Sequence, residues 1–327
     1  MFELHRGERI GFAILLFLGV VLALLQLRGE AQIVWAAFIH GFVAYGLIMV
    51  AGMGLRVWGR LPRLSLTLVA VGFYPIYASL LALIGYMMFP LTRPLIDDHL
   101  FAIDRMLGYD WTVAVAWLAY YPDLSYLLKL IYVSSLPQLL ILLLVLGALG
   151  RVQCLHRMIV TGMLAGIILF AFWGLWPSFG PSPYQDIPPE IAQAAGLLVT
   201  PEYGAQLMDL AQNGIGRIEK HQLLGTVGFP SFHILMAMLA VWFSRGTWLF
   251  WPYLALNTLM VPATLTHGGH HLVDLPGGML LFALAYGAAC ALLSQPDRQS
   301  HARAVRQSAL ALPGFGLRRQ PIPHRSR

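Results

Sequence analysis

Three features of the sequence predict an all-α, polytopic membrane bundle of about eight transmembrane helices. First, 58% of the 327 residues are hydrophobic and 11% are charged, against roughly 45–50% and about 25% in soluble domains. Second, long apolar runs recur from one end of the chain to the other. Third, Lys and Arg divide unevenly between alternate connections, fifteen on one side and five on the other, which supports an even number of spans. This composition excludes a disordered chain, a nucleic-acid-binding domain and most soluble enzymes. Cys154 and Cys290 are the only cysteines, too few and too isolated for a disulfide framework or a cysteine zinc site.

In chain order the predicted spans are 10–27, 33–55, 64–89, 124–149, 158–176, 230–244, 248–265 and 271–293. The first follows His5, Arg6 and Arg9, and its apolar stretch exceeds a signal-peptide core, so it reads as an uncleaved anchor. Basic residues set the orientation. Arg6, Arg9, Arg56, Arg60, Arg63, Arg151, Arg157, Arg245 and seven arginines of the tail fall on one side. Arg28, Arg93, Arg105, Arg217 and Lys220 fall on the other. That asymmetry predicts both termini in the cytoplasm and the long loops on the non-cytoplasmic face, the periplasm if the membrane is a bacterial inner membrane. The chain then divides into two amino-terminal helices (1–60), a six-helix core (61–293) and a disordered basic tail (294–327).

Two outer loops stand out. Loop 90–123 carries Asp97, Asp98, Asp104, Asp110 and Asp123, and apolar residues at near-helical period over 95–107 predict an amphipathic helix on the membrane surface. Loop 177–229 opens with Pro177, Pro181 and Pro183. Pro188-Pro189-Glu190 then marks a helix start, so a partly ordered lid is expected.

Ionisable groups inside a membrane are costly and mark function. Pro230-Ser231-Phe232-His233 opens one span and His267-Gly-Gly-His270-His271-Leu-Val-Asp274 opens another, both on the outer face. His270 and Asp274 are four apart, so a helix would put them on one face. The carboxylate would then fix the imidazole tautomer and raise its basicity. His271 is three from Asp274, so spacing alone does not separate the two histidines. Pro276 and Gly277-Gly278 predict a kinked or closely packed helix start. His233 is the second acid–base candidate, although alone it equally reads as a satisfied helix-end histidine. Ser231 and Phe232 would offer helix N-terminal N–H groups to an anion. A di-iron site fails for want of a second histidine box, and a single zinc on His233, His270 and Asp274 is the weaker reading. No metal or other cofactor is expected.

With these residues in view, Pro230-Ser231-Phe232-His233 followed by His270-x-x-x-Asp274 resembles the second and third signature motifs of the type-2 phosphatidic acid phosphatase superfamily. The stretches 93–104 and 176–184, the latter ending at Tyr184, resemble its inositol-phosphorylceramide-synthase branch. The resemblance implies metal-independent phosphoryl transfer through a phosphohistidine, with a membrane lipid as substrate. His270 would attack phosphorus, Asp274 orient it, and His233 protonate the leaving oxygen before activating water or an acceptor alcohol. The family's phosphate-binding Lys and Arg-Pro have no basic counterpart near 176–184, and Ala263-Thr264 stands where Ser-Arg is usual. The expected substitutes are Arg217 as clamp and Lys220 as support, with His267, His271, Ser231 and Tyr184 also expected at the substrate. The alternatives are a non-catalytic relative and a lipid transporter. The latter needs a polar path across the bilayer, whereas the polar residues gather at one end.

Overall fold

All eight apolar segments are helical in the computed structural model, which describes residues 4–29 and 31–294. The basic tail therefore lies outside the described residues. In order the helices are α1 (Arg6–Gln26), α2 (Trp35–Trp58), α3 (Pro62–Tyr86), α4 (Asp97–Met106), α5 (Trp111–Ala119), α6 (Pro122–Val133), α7 (Ser135–Ala148), α8 (Val152–Trp173), α9 (Pro189–Ala194), α10 (Pro201–Asn213), α11 (Phe232–Ser244), α12 (Phe250–His267) and α13 (Asp274–Ser294). Local chemistry sets several starts. Proline occupies the first turn of α3, α6, α9 and α10, where its missing N–H costs nothing. Asp110 caps α5 by accepting from the Thr112 and Val113 N–H groups, and Thr200 caps α10 by accepting from Tyr203 N–H.

The chain is an integral membrane protein. Among the described residues, α1, α2, α3, α8 and α13 are each long and apolar enough to cross a membrane, and α6 with α7, bent by 49° at their junction, is either a sixth, broken span or a re-entrant pair. About eight spans are expected from the sequence, the sixth and seventh of them short, and those two are the segments that fall short here. The 13 residues of α11 rise only about 20 Å at 1.5 Å each, less than the ~30 Å hydrocarbon core. In α12, Asn257, Thr258, Thr264, Thr266 and His267 dilute the apolar run. These are the helices whose ends carry the histidine motifs.

Packing brings α2 along α3, α1 against α3 and α8, and α11 against α7, α8 and α12. Small residues permit the closest approach: a Cβ on Gly72 would lie 2.6 Å from Met49 Cβ, and one on Gly52 2.9 Å from Ser65 O. The first helix is also tied in by charge. Buried Glu8 accepts from both terminal nitrogens of the Arg56 guanidinium, at 2.5 and 2.7 Å, with His156 of α8 3.8 Å away. Arg56, which in the sequence reads only as a topology-setting charge, is thus half of a bidentate pair.

The outer segments are ordered. A two-residue strand, β1 (Gln32–Ile33), pairs in parallel with β2 (Arg217–Ile218), joining the α1–α2 connection to loop 177–229. The predicted helix over 95–107 exists as α4, but its orientation differs from expectation. Asp97, Leu100 and Asp104 form its buried face, while Met106 and Leu107 at its end are exposed. Two carboxylates turned inward need partners; Asp104 finds them in the histidine motif, and Asp97 finds them there and in residues 178–184.

Candidate active site

The turn between α12 and α13 builds the site. His270 Nδ1 lies 2.8 Å from Asp274 Oδ2, and the same oxygen accepts from His271 N–H at 2.9 Å. A carboxylate only accepts, so Nδ1 carries the ring proton and Nε2 keeps its lone pair. The four-residue spacing predicted this contact but not its setting. Asp274 is the first residue of α13, so a turn rather than a helix face brings the pair together. The glycines after Pro276 allow the close packing expected of them. A Cβ on Gly277 would lie 2.7 Å from Phe229 Cε2, and one on Gly278 2.5 Å from Ser231 O.

That packing seats the amino end of α11 beside the turn. Ser231 is the N-cap of α11, accepting from Ile234 N–H, while its own N–H donates to the Asp274 carbonyl at 3.0 Å. His233 follows, its ring centroid 6.5 Å from that of His270. Its ring also stacks on Tyr132 of α6, with centroids 3.8 Å apart and planes 21° from parallel. An offset aromatic stack contributes about 0.5–1.5 kcal/mol beyond burial. If His233 acts in turnover, Tyr132→Leu should slow it about three- to ten-fold while Tyr132→Phe preserves it. Steady-state rates of the two variants check this.

A second histidine–carboxylate network lies behind the first. His271 Nδ1 is 2.6 Å from Asp104 Oδ2, and Leu272 N–H donates to Asp104 Oδ1 at 3.0 Å. His271 Nε2 sits 3.4 Å from Asp97 Oδ1, an ion pair rather than an aligned hydrogen bond. Asp97 Oδ1 also accepts from Ser178 Oγ and Gly180 N, both at 2.8 Å, and Tyr184 Oη donates to Oδ2 at 3.3 Å. Burial alone would lower the His271 pKa. Asp97, Asp274 and Asp104 together outweigh it, and the imidazole titrates above its ordinary value. Gly180, at φ +82°, completes the cradle: a Cβ there would fall 2.1 Å from the Gly269 carbonyl oxygen. The sequence offered only a weak signal for this network. Asp97 and Asp104 are seven apart in a helical stretch, which places them on one face.

His233 and His270 open into a cavity of about 390 Å³ between α3, α7, α8 and α11. Five tyrosines line it, Tyr74, Tyr77, Tyr86, Tyr132 and Tyr203, among aliphatic side chains. No Lys, Arg, Asp or Glu is among its lining residues. Phe232 and His233 both line it, so the positive amino end of α11 faces it.

The expected site residues thus separate into groups. His233, His270 and Asp274 converge. Ser231 and His271 lie beside them, engaged with backbone and carboxylates respectively, and Tyr184 donates to Asp97. His267 is turned away: its ring lies 2.9 Å from the Ser125 carbonyl oxygen and ties α12 to α6. Arg217 and Lys220 are exposed and line no part of the cavity, because the β1–β2 pairing holds that stretch at the α1–α2 connection. The tyrosine lining had no signal in the sequence, since its members are spread over more than 120 residues.

A family model for the PAP2 superfamily matches residues 98–288, from α4 to within α13. The chain belongs to the PAP2 superfamily. Its members are phosphatases and phosphotransferases, so the chain is of an enzyme family. Asp104, His233, His270, His271 and Asp274 all fall within the PAP2 match, whereas Asp97 and helices α1–α3 precede it. No curated protein and no solved structure matches the chain.

Proposed function

We propose that this PAP2 protein transfers a phosphoryl group from a lipid phosphate or phospholipid through a phosphohistidine on His270. The observation that carries the reading is the His270–Asp274 hydrogen bond of 2.8 Å with His233 6.5 Å away on one cavity. His270 Nε2 attacks phosphorus as the bond to the lipid oxygen breaks, and that oxygen takes a proton from His233. Asp274 holds the Nδ1 proton and offsets the charge developing on the ring. In the second step His233 takes the proton of water or an acceptor alcohol, whose oxygen displaces His270.

The phosphoryl oxygens need donors. The amino end of α11 and the tyrosine hydroxyls are the groups at hand, and neither Arg217 nor Lys220 is needed for this. Apolar walls suit a lipid chain. Residues 223–227 of the long outer segment line the cavity as well, which favours transfer to an alcohol over hydrolysis, because a covered phosphohistidine excludes water. The inositolphosphotransferase-like branch remains the preferred assignment within the superfamily. The basic-residue asymmetry puts the site on the non-cytoplasmic face, with the core at 61–293 and two added helices before it.

Purified protein incubated with labelled phosphatidic acid, lipid pyrophosphate and phosphoinositol lipids tests this. Turnover should survive EDTA. Activity abolished by EDTA and restored by zinc would sink the mechanism. Asp274→Asn should keep the fold, judged by circular dichroism, and lose about 10²–10⁴ in rate.

A further inference from the structure

Three of the helices that frame the histidines, α8, α11 and α13, frame a second cavity at their other ends. It has a volume of about 570 Å³. It lies roughly 15–20 Å from the histidines, given ten residues from His233 to Phe243 and twelve from Asp274 to Tyr286 at 1.5 Å each. Arg151, Arg157 and Arg245 line it together with Gln153, Trp242 and Tyr286, and no Asp or Glu does.

Among the described residues none of the three guanidinium groups is paired with a carboxylate. Arg151 donates to the Arg245 carbonyl at 3.0 Å and to that of Gly246, clamping the α11–α12 turn against the start of α8. The Arg245 guanidinium lies over Trp242, 3.9 Å from the ring centroid, and Trp242 is itself braced edge-on by Phe282 and Tyr286. Arg157 is exposed and has no hydrogen bond or ion pair among the described residues. The first turn of α8 contains no acidic residue, so the positive end of that helix adds to the same field. Three cations and a helix amino end converge on one hollow without a carboxylate. Like charges held together repel unless an anion joins them. Guanidinium groups in this number match the oxygens of a phosphate ester.

We infer that this cavity is a binding site for a phosphate-ester anion, at the end of the bundle opposite the histidines. The same phosphate chemistry can come from an anionic phospholipid headgroup in the leaflet at that end or from a soluble phosphate. Trp242 and Tyr286 give the cavity an aromatic wall beside the guanidinium groups, which suits the apolar part of a lipid below its headgroup.

The test is binding of dioleoylphosphatidylglycerol to the purified full-length protein in phosphatidylcholine nanodiscs, with inorganic phosphate as competitor. Arg157→Gln with Arg245→Gln should weaken phosphatidylglycerol binding about ten-fold or more, from loss of two charge-assisted contacts. Arg157→Lys, which keeps the charge, should retain most of it. Arg318→Gln with Arg319→Gln in the tail should bind as the wild type does. Displacement by millimolar phosphate assigns the site to the phosphate group whatever its source. Resistance to it assigns the site to the lipid headgroup. Equal phosphatidylglycerol binding by the Arg157/Arg245 variant and the wild type overturns the inference. So does loss of binding in the tail variant alone. Because Arg157 makes no hydrogen bond, Arg157→Gln alone reads binding without a folding defect, and circular dichroism verifies that.

Discussion

His270→Ala should reduce turnover by about 10⁴-fold or more, the scale on which a triad nucleophile or its base is lost. The physical reason is that no neighbour can replace its Nε2. His271 is the adjacent imidazole, but both of its nitrogens face carboxylates, Nδ1 at 2.6 Å from Asp104 and Nε2 at 3.4 Å from Asp97. With both nitrogens turned to carboxylates, that ring does not line the cavity. His233 lines the cavity, but among the described residues no carboxylate lies against it to hold its tautomer; its ring packs on those of Tyr132 and His270. Rapid quench with labelled substrate should trap acid-labile, base-stable phosphate on the wild type and none on the variant. Retention of the label, or of more than a hundredth of the turnover, would move the nucleophile elsewhere. His270→Asn preserves a donor to Asp274 and should fold as the wild type does, which separates lost chemistry from lost structure.

How much of this was legible in the sequence differs by element. The apolar runs were legible because membrane helices satisfy their own backbone and need only length and hydropathy. The His270–Asp274 contact was legible because it is local, although its turn geometry was not. Arg217 and Lys220 lie ten to thirteen positions before Pro230, and that nearness in sequence is what makes them the expected phosphate clamp. A two-residue pairing between Gln32 and Arg217 holds that stretch elsewhere, and so short a strand leaves no pattern of its own. The roles of Asp97 and Asp104 were hidden for the opposite reason. Acidic residues in an outer loop read as solvated, and only the packing of α4 against residues 177–184 and 268–273 buries them. The same holds for Tyr132, whose partner His233 is a hundred residues away.

Asp97→Ala should be the most destabilising single change in the outer segments. Asp97 is 1% exposed. Its removal leaves Ser178 Oγ–H and the N–H groups of Phe179 and Gly180 without their acceptor, and leaves His271 with one carboxylate fewer. Breaking a buried charge network by deleting one partner costs about 3–5 kcal/mol, a large share of a typical total of about 5–15 kcal/mol. The loss should appear as a lowered midpoint in thermal unfolding and as loss of turnover, because the 178–180 backbone packs directly on Gly269. Asp97→Asn keeps an acceptor but not the charge, so it should fall between the two. The pH dependence identifies the charge. His271 has its folded pKa raised above the unfolded value of 6.5. Its stabilising contribution is therefore complete below that unfolded value and is lost as the pH rises through the folded one. Thermal midpoints of the wild type should fall across that window, and His271→Asn should flatten the fall. Asp97→Asn should shrink it, because with one carboxylate gone the imidazolium has less to hold it. A wild-type midpoint that is level from pH 6 to pH 9, with His271→Asn parallel to it, would mean that His271 is held neutral between Asp97 and Asp104.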